Sequence, residues 1–314
     1  MLRNERRQRM IKMGLIDETW PLTARDEAVP AWEETTNKEW HARRMEVYAA
    51  QVDLMDQAIG KIVDKVEQMG LSENTLILFL ADNGGCAEEL ITPYKGSSFP
   101  SHTRGGFPVR QGNDPTIMPG PEETYQSYGV PWANASNTPF RLYKHWVHEG
   151  GISSPLVAHW PAKIKQTGGF NNELSHLIDI MATCVDVAGA TYPSQYGEHV
   201  IEPLEGKSLA PAFRGSEVER EALFWEHEGN RGMREGDWKL VSEFPRWAPE
   251  DAPGRWELYN IRVDRTELSL YPAEWVEYFY RLDEGSNMLY TCLLYTSDAA
   301  DDTPCVDLGG RRII

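Results

Sequence analysis

Cysteine is scarce in this chain, with four in 314 residues, at positions 86, 184, 292 and 305. Cys86 and Cys184 have neither metal-ligand nor redox spacing, so no zinc ribbon and no Cys-x-x-Cys redox site is encoded. They are too few to fix a redox compartment. Cys184 falls in the apolar pattern of a helix and is expected in the core. Cys86 follows a turn and is expected to be partly exposed. No hydrophobic run is long enough to span a membrane. No signal peptide is visible, and a chain that had lost its N-terminus could not show one. Positive charge is also short: 31 Lys and Arg stand against 48 Asp and Glu, for a net charge of −17. A nucleic-acid binder needs a basic face, and the acidity argues against that class. Internal repeats and low-complexity runs are absent, and nothing marks the oligomeric state. A hydrophobic content of 41% is ample for a core in one large or two smaller domains.

The most informative feature present is Asp82-Asn83-Gly84-Gly85, directly after the run Thr75–Ala81. A short apolar run rich in Ile, Leu and Phe reads as a buried strand of a parallel sheet. Open α/β sheets bind ligands beyond the carboxyl ends of their strands. Asp82 and Asn83 offer adjacent hard oxygen ligands there, suited to Ca²⁺ or Mg²⁺ rather than Zn²⁺. The same residues also make an ordinary strand-ending turn.

Further along the chain, residues 15–37 read as a loop. Met45, Tyr48, Val52, Met55, Ile59, Ile62, Val66 and Met69 recur at spacings of three and four, which predicts a helix from about Lys38 to Met69, closed by Gly70. Residues 86–139 are rich in Gly, Pro, Ser and Thr and read as a long irregular segment facing substrate. Its aromatics Tyr94, Phe99, Tyr125, Tyr128 and Trp132 could stack on a ring or sugar, or could pin the segment to the domain. Pro155–Trp160 reads as a strand. Glu173–Ala188 reads as a helix with Leu177, Ile180, Met181, Cys184, Val185 and Ala188 inward. Ala222–Trp225, Asp237–Ser242 and Trp256–Tyr259 read as short strands, with a hairpin turn at Arg234–Asp237.

Several blocks in order carry a family resemblance. They are the Asp82-Asn83-Gly84 strand end and the stretch from Phe140 to Pro161, which contains Lys144, Glu149-Gly-Gly-Ile152 and Pro155. The helix Tyr48–Gly60, the segment His176–Ala190, Gly206–Leu209 and Glu257–Glu267 complete the set. Together they resemble the type I sulfatases (arylsulfatases), from the N-terminus to about Glu267. The resemblance implies an alkaline-phosphatase-like α/β fold: a mostly parallel sheet flanked by helices, here partial, with a small C-terminal antiparallel-sheet subdomain. It divides the chain into a partial N-terminal region (1–37), the C-terminal part of the α/β domain (38–215) and the antiparallel subdomain (216–291).

The resemblance further implies hydrolysis of a sulfate monoester, small-molecule or glycan, by a sulfuric ester hydrolase. Asp82 and Asn83 would be metal ligands, for Ca²⁺ ahead of Mg²⁺, and Lys144 would hold the sulfate. The family's nucleophile is a formylglycine made from Cys/Ser-x-Pro-x-Arg, and a second metal pair is an N-terminal Asp-Asp. Neither is present in a usable context: Ser98-Phe-Pro-Ser-His102 has His where Arg is needed, and Asp301-Asp302 follows no strand. The chain is therefore expected to be a C-terminal fragment, inactive alone, of a periplasmic or secreted parent. Two rivals stand beside this reading: a phosphodiesterase or phosphonate hydrolase of the same superfamily, and a non-catalytic sulfate- or glycan-binding relative. Two-zinc phosphoesterases carry His directly after the metal-binding Asp, and Asn83 argues for one hard cation instead. His145 and His148 read as structural histidines ahead of zinc ligands. His227 and Glu228, in Trp225–Asn230, are placed to approach the site from the C-terminal subdomain. Residues 292–314 resemble a translated sequencing-library adapter and are set aside; Leu268–Thr291 could be native or frame-shifted.

Overall fold

The structure is a computed structural model, and it describes residues 1–90, 101–166, 168–243 and 255–272. The expectations for Tyr94, Phe99, the stretch Ser98–Pro100, residues 273–291 and the tail 292–314 lie outside those residues. The elements in order are α1 (Leu2–Lys12), α2 (Lys38–Gln68), β1 (Ile77–Leu80), β2 (Arg110–Gln111), β3 (Thr124–Tyr125), α3 (Gly129–Ser136), α4 (Glu149–Ile152) and β4 (Leu156–His159). Then follow α5 (Asp179–Val187), β5 (Gln195–Tyr196), β6 (His199–Val200), α6 (Ala210–Phe213), β7 (Leu223–His227), β8 (Asn230–Glu235), β9 (Trp238–Glu243) and β10 (Arg255–Asn260). The chain divides into two compact units. One comprises Met1–Lys61, Asn83–Ser154 and the described residues from Phe224 on; the other comprises Ile62–Asp82 and Pro155–Leu223.

In the first unit, the N-terminal half of α2 holds the described residues of the segment 86–139. Trp40 donates its indole N–H to the Ile117 carbonyl at 2.9 Å. Arg44 is buried, bonds the Ser127 carbonyl at 2.6 Å and pairs with Glu89 at 3.1 Å. Tyr48 stacks on Tyr128 with ring centroids 5.0 Å apart. Trp132 donates to the His41 carbonyl at 2.8 Å. Tyr128 and Trp132 thus pin the segment down, and neither is a free stacking platform. Gly129, Pro131 and Asn134 disguise α3, which the composition had read as loop. Cys86 packs in a core cluster with Tyr128, Ala133 and Tyr143. It is buried and not partly exposed as expected, because that cluster closes over the turn it follows.

The same unit contains a four-stranded antiparallel sheet in the order β10-β9-β8-β7. Glu257 pairs with Val241 and Leu258 with Leu240 in the β10–β9 ladder. The β8–β9 hairpin turns at Gly236, near the expected site, with φ of 56°. β8 escaped the sequence reading because Asn-Arg-Gly-Met-Arg-Glu shows no apolar alternation. Val241, Tyr259, Ile261 and Val147 form the second core cluster.

In the second unit β1 pairs with β4 antiparallel, Phe79 opposite Val157. This corrects the expectation of a buried parallel strand at Thr75–Ala81: Phe79 is 44% and Val157 58% exposed. An apolar run states a preference for burial, not the direction of the neighbouring strand. Among the described residues the parallel pair is β2–β3. The expected inward face of α5 is corrected in part: the helix forms, Ile180 and Val185 are half-buried and Ala188 is exposed. Leu177, Met181 and Cys184 are exposed, while Asp179, Ala182 and Thr183 are buried. The inward face of α5 is taken by polar anchors. Asp179 accepts from the Lys207 backbone at 2.8 Å and from Arg220 at 2.6 Å, and the Thr183 hydroxyl accepts from the Leu209 backbone at 2.9 Å. Of the α2 stripe, Met45, Tyr48, Met55, Ile59 and Val66 are half-buried, and Val52, Ile62 and Met69 face solvent.

Candidate active site

The Gly84-Gly85 turn and the Glu149-Gly-Gly element meet backbone to backbone. Gly84 donates its N–H to the Gly151 carbonyl at 2.7 Å. A Cβ at Gly84 would land on the Gly150 carbonyl, and a Cβ at Gly150 or Gly151 would strike the carbonyls of Arg141 or Trp146. The glycines are thus required by close approach, not by turn geometry alone.

Asn137 ties the assembly together. Its side-chain carbonyl accepts the Gly85 N–H at 2.8 Å, and its amide donates to the carbonyls of Leu142 (2.8 Å) and Gly150 (2.7 Å). The Lys144 N–H then bonds the Gly85 carbonyl at 3.1 Å. The backbone of Lys144 is therefore held at Gly85, two residues after Asn83. Lys144 and Asn83 are half-buried, and Asp82, which directly precedes Asn83, is exposed. Sequence reasoning missed Asn137; a lone Asn in a segment rich in turn residues gives no signal of its role.

Glu149 is anchored below this turn. It is buried and pairs with Lys239 on β9 at 2.7 Å and with Arg265 at 2.8 Å. Lys239, fully buried, also reaches Glu267 at 2.8 Å, and Glu267 accepts the Glu149 backbone N–H at 3.0 Å. Burial works to raise the Glu149 pKa, but the Lys239 and Arg265 charges prevail and hold it well below the usual carboxylate range. The Glu-Gly-Gly motif thus has a structural acid at its head.

His148 is fully buried against Glu257 at 3.3 Å, which agrees with a structural histidine. Glu257 also accepts from Tyr259 at 2.7 Å and from Arg141 at 2.6 Å. Burial raises its pKa, and the bonds from His148 and Tyr259 with the Arg141 charge outweigh this and lower it to about 2. His145 stands apart from His148: it contacts Glu228 at 2.7 Å and faces His227 edge-on.

Asp82 and Asn83, adjacent in the sequence, carry oxygen donors in their side chains. That donor set fits a hard divalent cation.

Comparison with known proteins names the family of this chain. The Sulfatase family model matches residues 3–190, and the model described as N-sulphoglucosamine sulphohydrolase, C-terminal, matches residues 140–277. The chain belongs to the sulfatase family. It is 32% identical over 277 residues to an uncharacterized sulfatase of Schizosaccharomyces pombe, covering 85% of this chain and 48% of that protein. It is 29% identical over 209 residues to an arylsulfatase of Klebsiella aerogenes, covering 66% of this chain and 43% of that protein. A steryl-sulfatase of Mus musculus is 27% identical over 214 residues, covering 66% of this chain and 27% of that protein. The chain thus spans about half or less of the length of these relatives.

Proposed function

We propose that this chain supplies the metal-turn and sulfate-lysine side of a sulfuric ester hydrolase. The observation that carries the reading is the bond from the Lys144 backbone to Gly85, which ties a cation to the turn bearing Asp82 and Asn83. In this reading Asp82 and Asn83 hold Ca²⁺, which when bound offsets negative charge on the sulfate oxygens. Lys144 places its ammonium on the same oxygens, fixed by its backbone bond and by the packing of Tyr143. Tyr143 is buried and donates to Asp26 at 2.6 Å, so its segment has little freedom. The nucleophile, a formylglycine, belongs to a Cys/Ser-x-Pro-x-Arg motif that this sequence does not contain.

The substrate class is a sulfate monoester. The names of relatives span aryl, steryl and N-acetylgalactosamine sulfates, and the proposal does not choose among them. A periplasmic or secreted setting belongs to the same proposal. The test compares aryl sulfate with aryl phosphate hydrolysis by the 314-residue chain and by a protein joining it to a Cys/Ser-x-Pro-x-Arg segment. The chain alone is expected to turn over neither ester, and the joined protein to prefer sulfate. Clear sulfate turnover by the chain alone, or a phosphate preference in the joined protein, contradicts the reading.

A further inference from the structure

His145, His227 and Glu228 converge, and neither the proposed sulfate chemistry nor the buried ion network uses them. One donor atom from each lies within 4.8 Å of the other two. His145 Nδ1 is 2.7 Å from Glu228 Oε2, and the two imidazole rings stand edge to face with centroids 5.5 Å apart. All three side chains remain accessible: His145 and His227 are half-buried, and the Glu228 side chain is 36% exposed.

The backbone is shaped to bring them together. His145 has φ of 95° and Glu228 φ of 48°, both in the left-handed region that residues with a Cβ rarely adopt. Such outliers persist where the surroundings over-determine them, and they cluster at ligand clamps. Here the over-determining residue is Asn230, which is fully buried. Its amide donates to the His145 carbonyl at 3.3 Å and to the His227 carbonyl at 3.0 Å, so one side chain fixes the loop carrying His145 and the β7–β8 turn carrying His227 and Glu228. Gly229 donates to Glu226 Oε1 at 2.8 Å and tightens the same turn.

We propose that His145, His227 and Glu228 form a binding site for one zinc ion, separate from the hard-cation turn, with its fourth coordination position open. Two imidazole nitrogens and one carboxylate oxygen suit zinc, and the oxygen pair at Asp82-Asn83 does not. Around zinc, ligand atoms at about 2.0–2.2 Å from the metal stand roughly 3.3–3.5 Å from one another in tetrahedral geometry. To reach that arrangement the 2.7 Å His145–Glu228 contact would open slightly, within a cluster whose donor atoms all lie within 4.8 Å of one another. Buried Asn230, holding both loops, is the outer support that such a site needs. Three protein ligands leave one position for water or a substrate oxygen. Because His145 directly follows Lys144 in the chain, an occupied site would add a second cation to the segment that carries the proposed sulfate lysine.

The test is calorimetric zinc titration of the tag-free, chelator-stripped 314-residue chain, with cobalt absorption as a probe of four-coordinate geometry. The native chain is expected to bind one equivalent of zinc and to show intense cobalt d–d bands. His227→Ala and Glu228→Gln are each expected to weaken binding tenfold or more. Glu228→Gln keeps the shape of the turn, so it decides the matter if His227→Ala fails to fold. Asp82→Ala, which removes the proposed calcium ligand, is expected to leave zinc affinity unchanged, so this proposal and the calcium reading fail separately. Absence of stoichiometric zinc binding, or equal binding by the native chain and Glu228→Gln, overturns the proposal and leaves the cluster a structural histidine–carboxylate pair.

Discussion

Asn137 shows how much of this site is carried by one residue with no chemistry of its own. It makes three hydrogen bonds, to Gly85, Leu142 and Gly150, and so joins the Asp82–Gly85 turn, the Lys144 loop and the Glu149-Gly-Gly element. Replacing it with alanine leaves buried backbone groups without partners. At about 1 kcal/mol or more for each lost bond, Asn137→Ala is expected to lower stability by about 2–4 kcal/mol in urea unfolding; a change within about 0.5 kcal/mol contradicts the clamp. Glu257 makes a second prediction at this scale. Its pKa is depressed to about 2, so its contribution is complete above the unfolded carboxylate range and is lost as pH falls from about 5 toward 2. Glu257→Gln is expected to flatten the pH dependence of the melting temperature in that window and to leave its slope near neutrality unchanged. Parallel profiles for the two proteins across pH 2–5 would rule this out.

At the scale of elements, α4 and the C-terminal sheet behave as one piece because charges are paired where water is excluded. Lys239 on β9 neutralises Glu149 on one side and Glu267 on the other. Lys239→Met leaves two carboxylates with one cation fewer in a buried site, and the cost of breaking such a pair is about 3–5 kcal/mol. The urea midpoint should fall accordingly, and a variant as stable as the native chain would show that the network is incidental. The sequence displayed some of these elements and hid others for physical reasons. α2 stands out because its apolar residues repeat with the period of a helix, and β1, β4, β9 and β10 because short stretches of apolar and aromatic residues mark them. β8 does not, since Met233 is the one large apolar residue in Asn230–Glu235. α5 misled in a different way. Its apolar pattern is real, but the buried face is set by Asp179 and Thr183, whose backbone partners at Lys207 and Leu209 lie far along the chain. Periodicity reports which residues are alike; it does not report a polar side chain with a distant partner.

At the scale of the whole molecule, the family was legible because its motifs are local: Asp82-Asn83-Gly84, Lys144 and Glu149-Gly-Gly each occupy a few adjacent residues. What holds those motifs together was not legible. Asn137, Lys239, Arg265 and Glu267 reach the site through contacts that no spacing rule announces, as does the meeting of His145 with His227 and Glu228. The proposed activity requires Lys144 to act on sulfate beside the Asp82-Asn83 turn. The measurement that tests this most directly is steady-state aryl sulfate hydrolysis by the protein joining this chain to a Cys/Ser-x-Pro-x-Arg segment, with native Lys144 and with Lys144→Ala. Loss of an electrostatic contact that acts on the transition state predicts a fall in kcat/KM of about 100-fold or more with the fold intact. An unchanged kcat/KM in a folded Lys144→Ala protein would contradict the account.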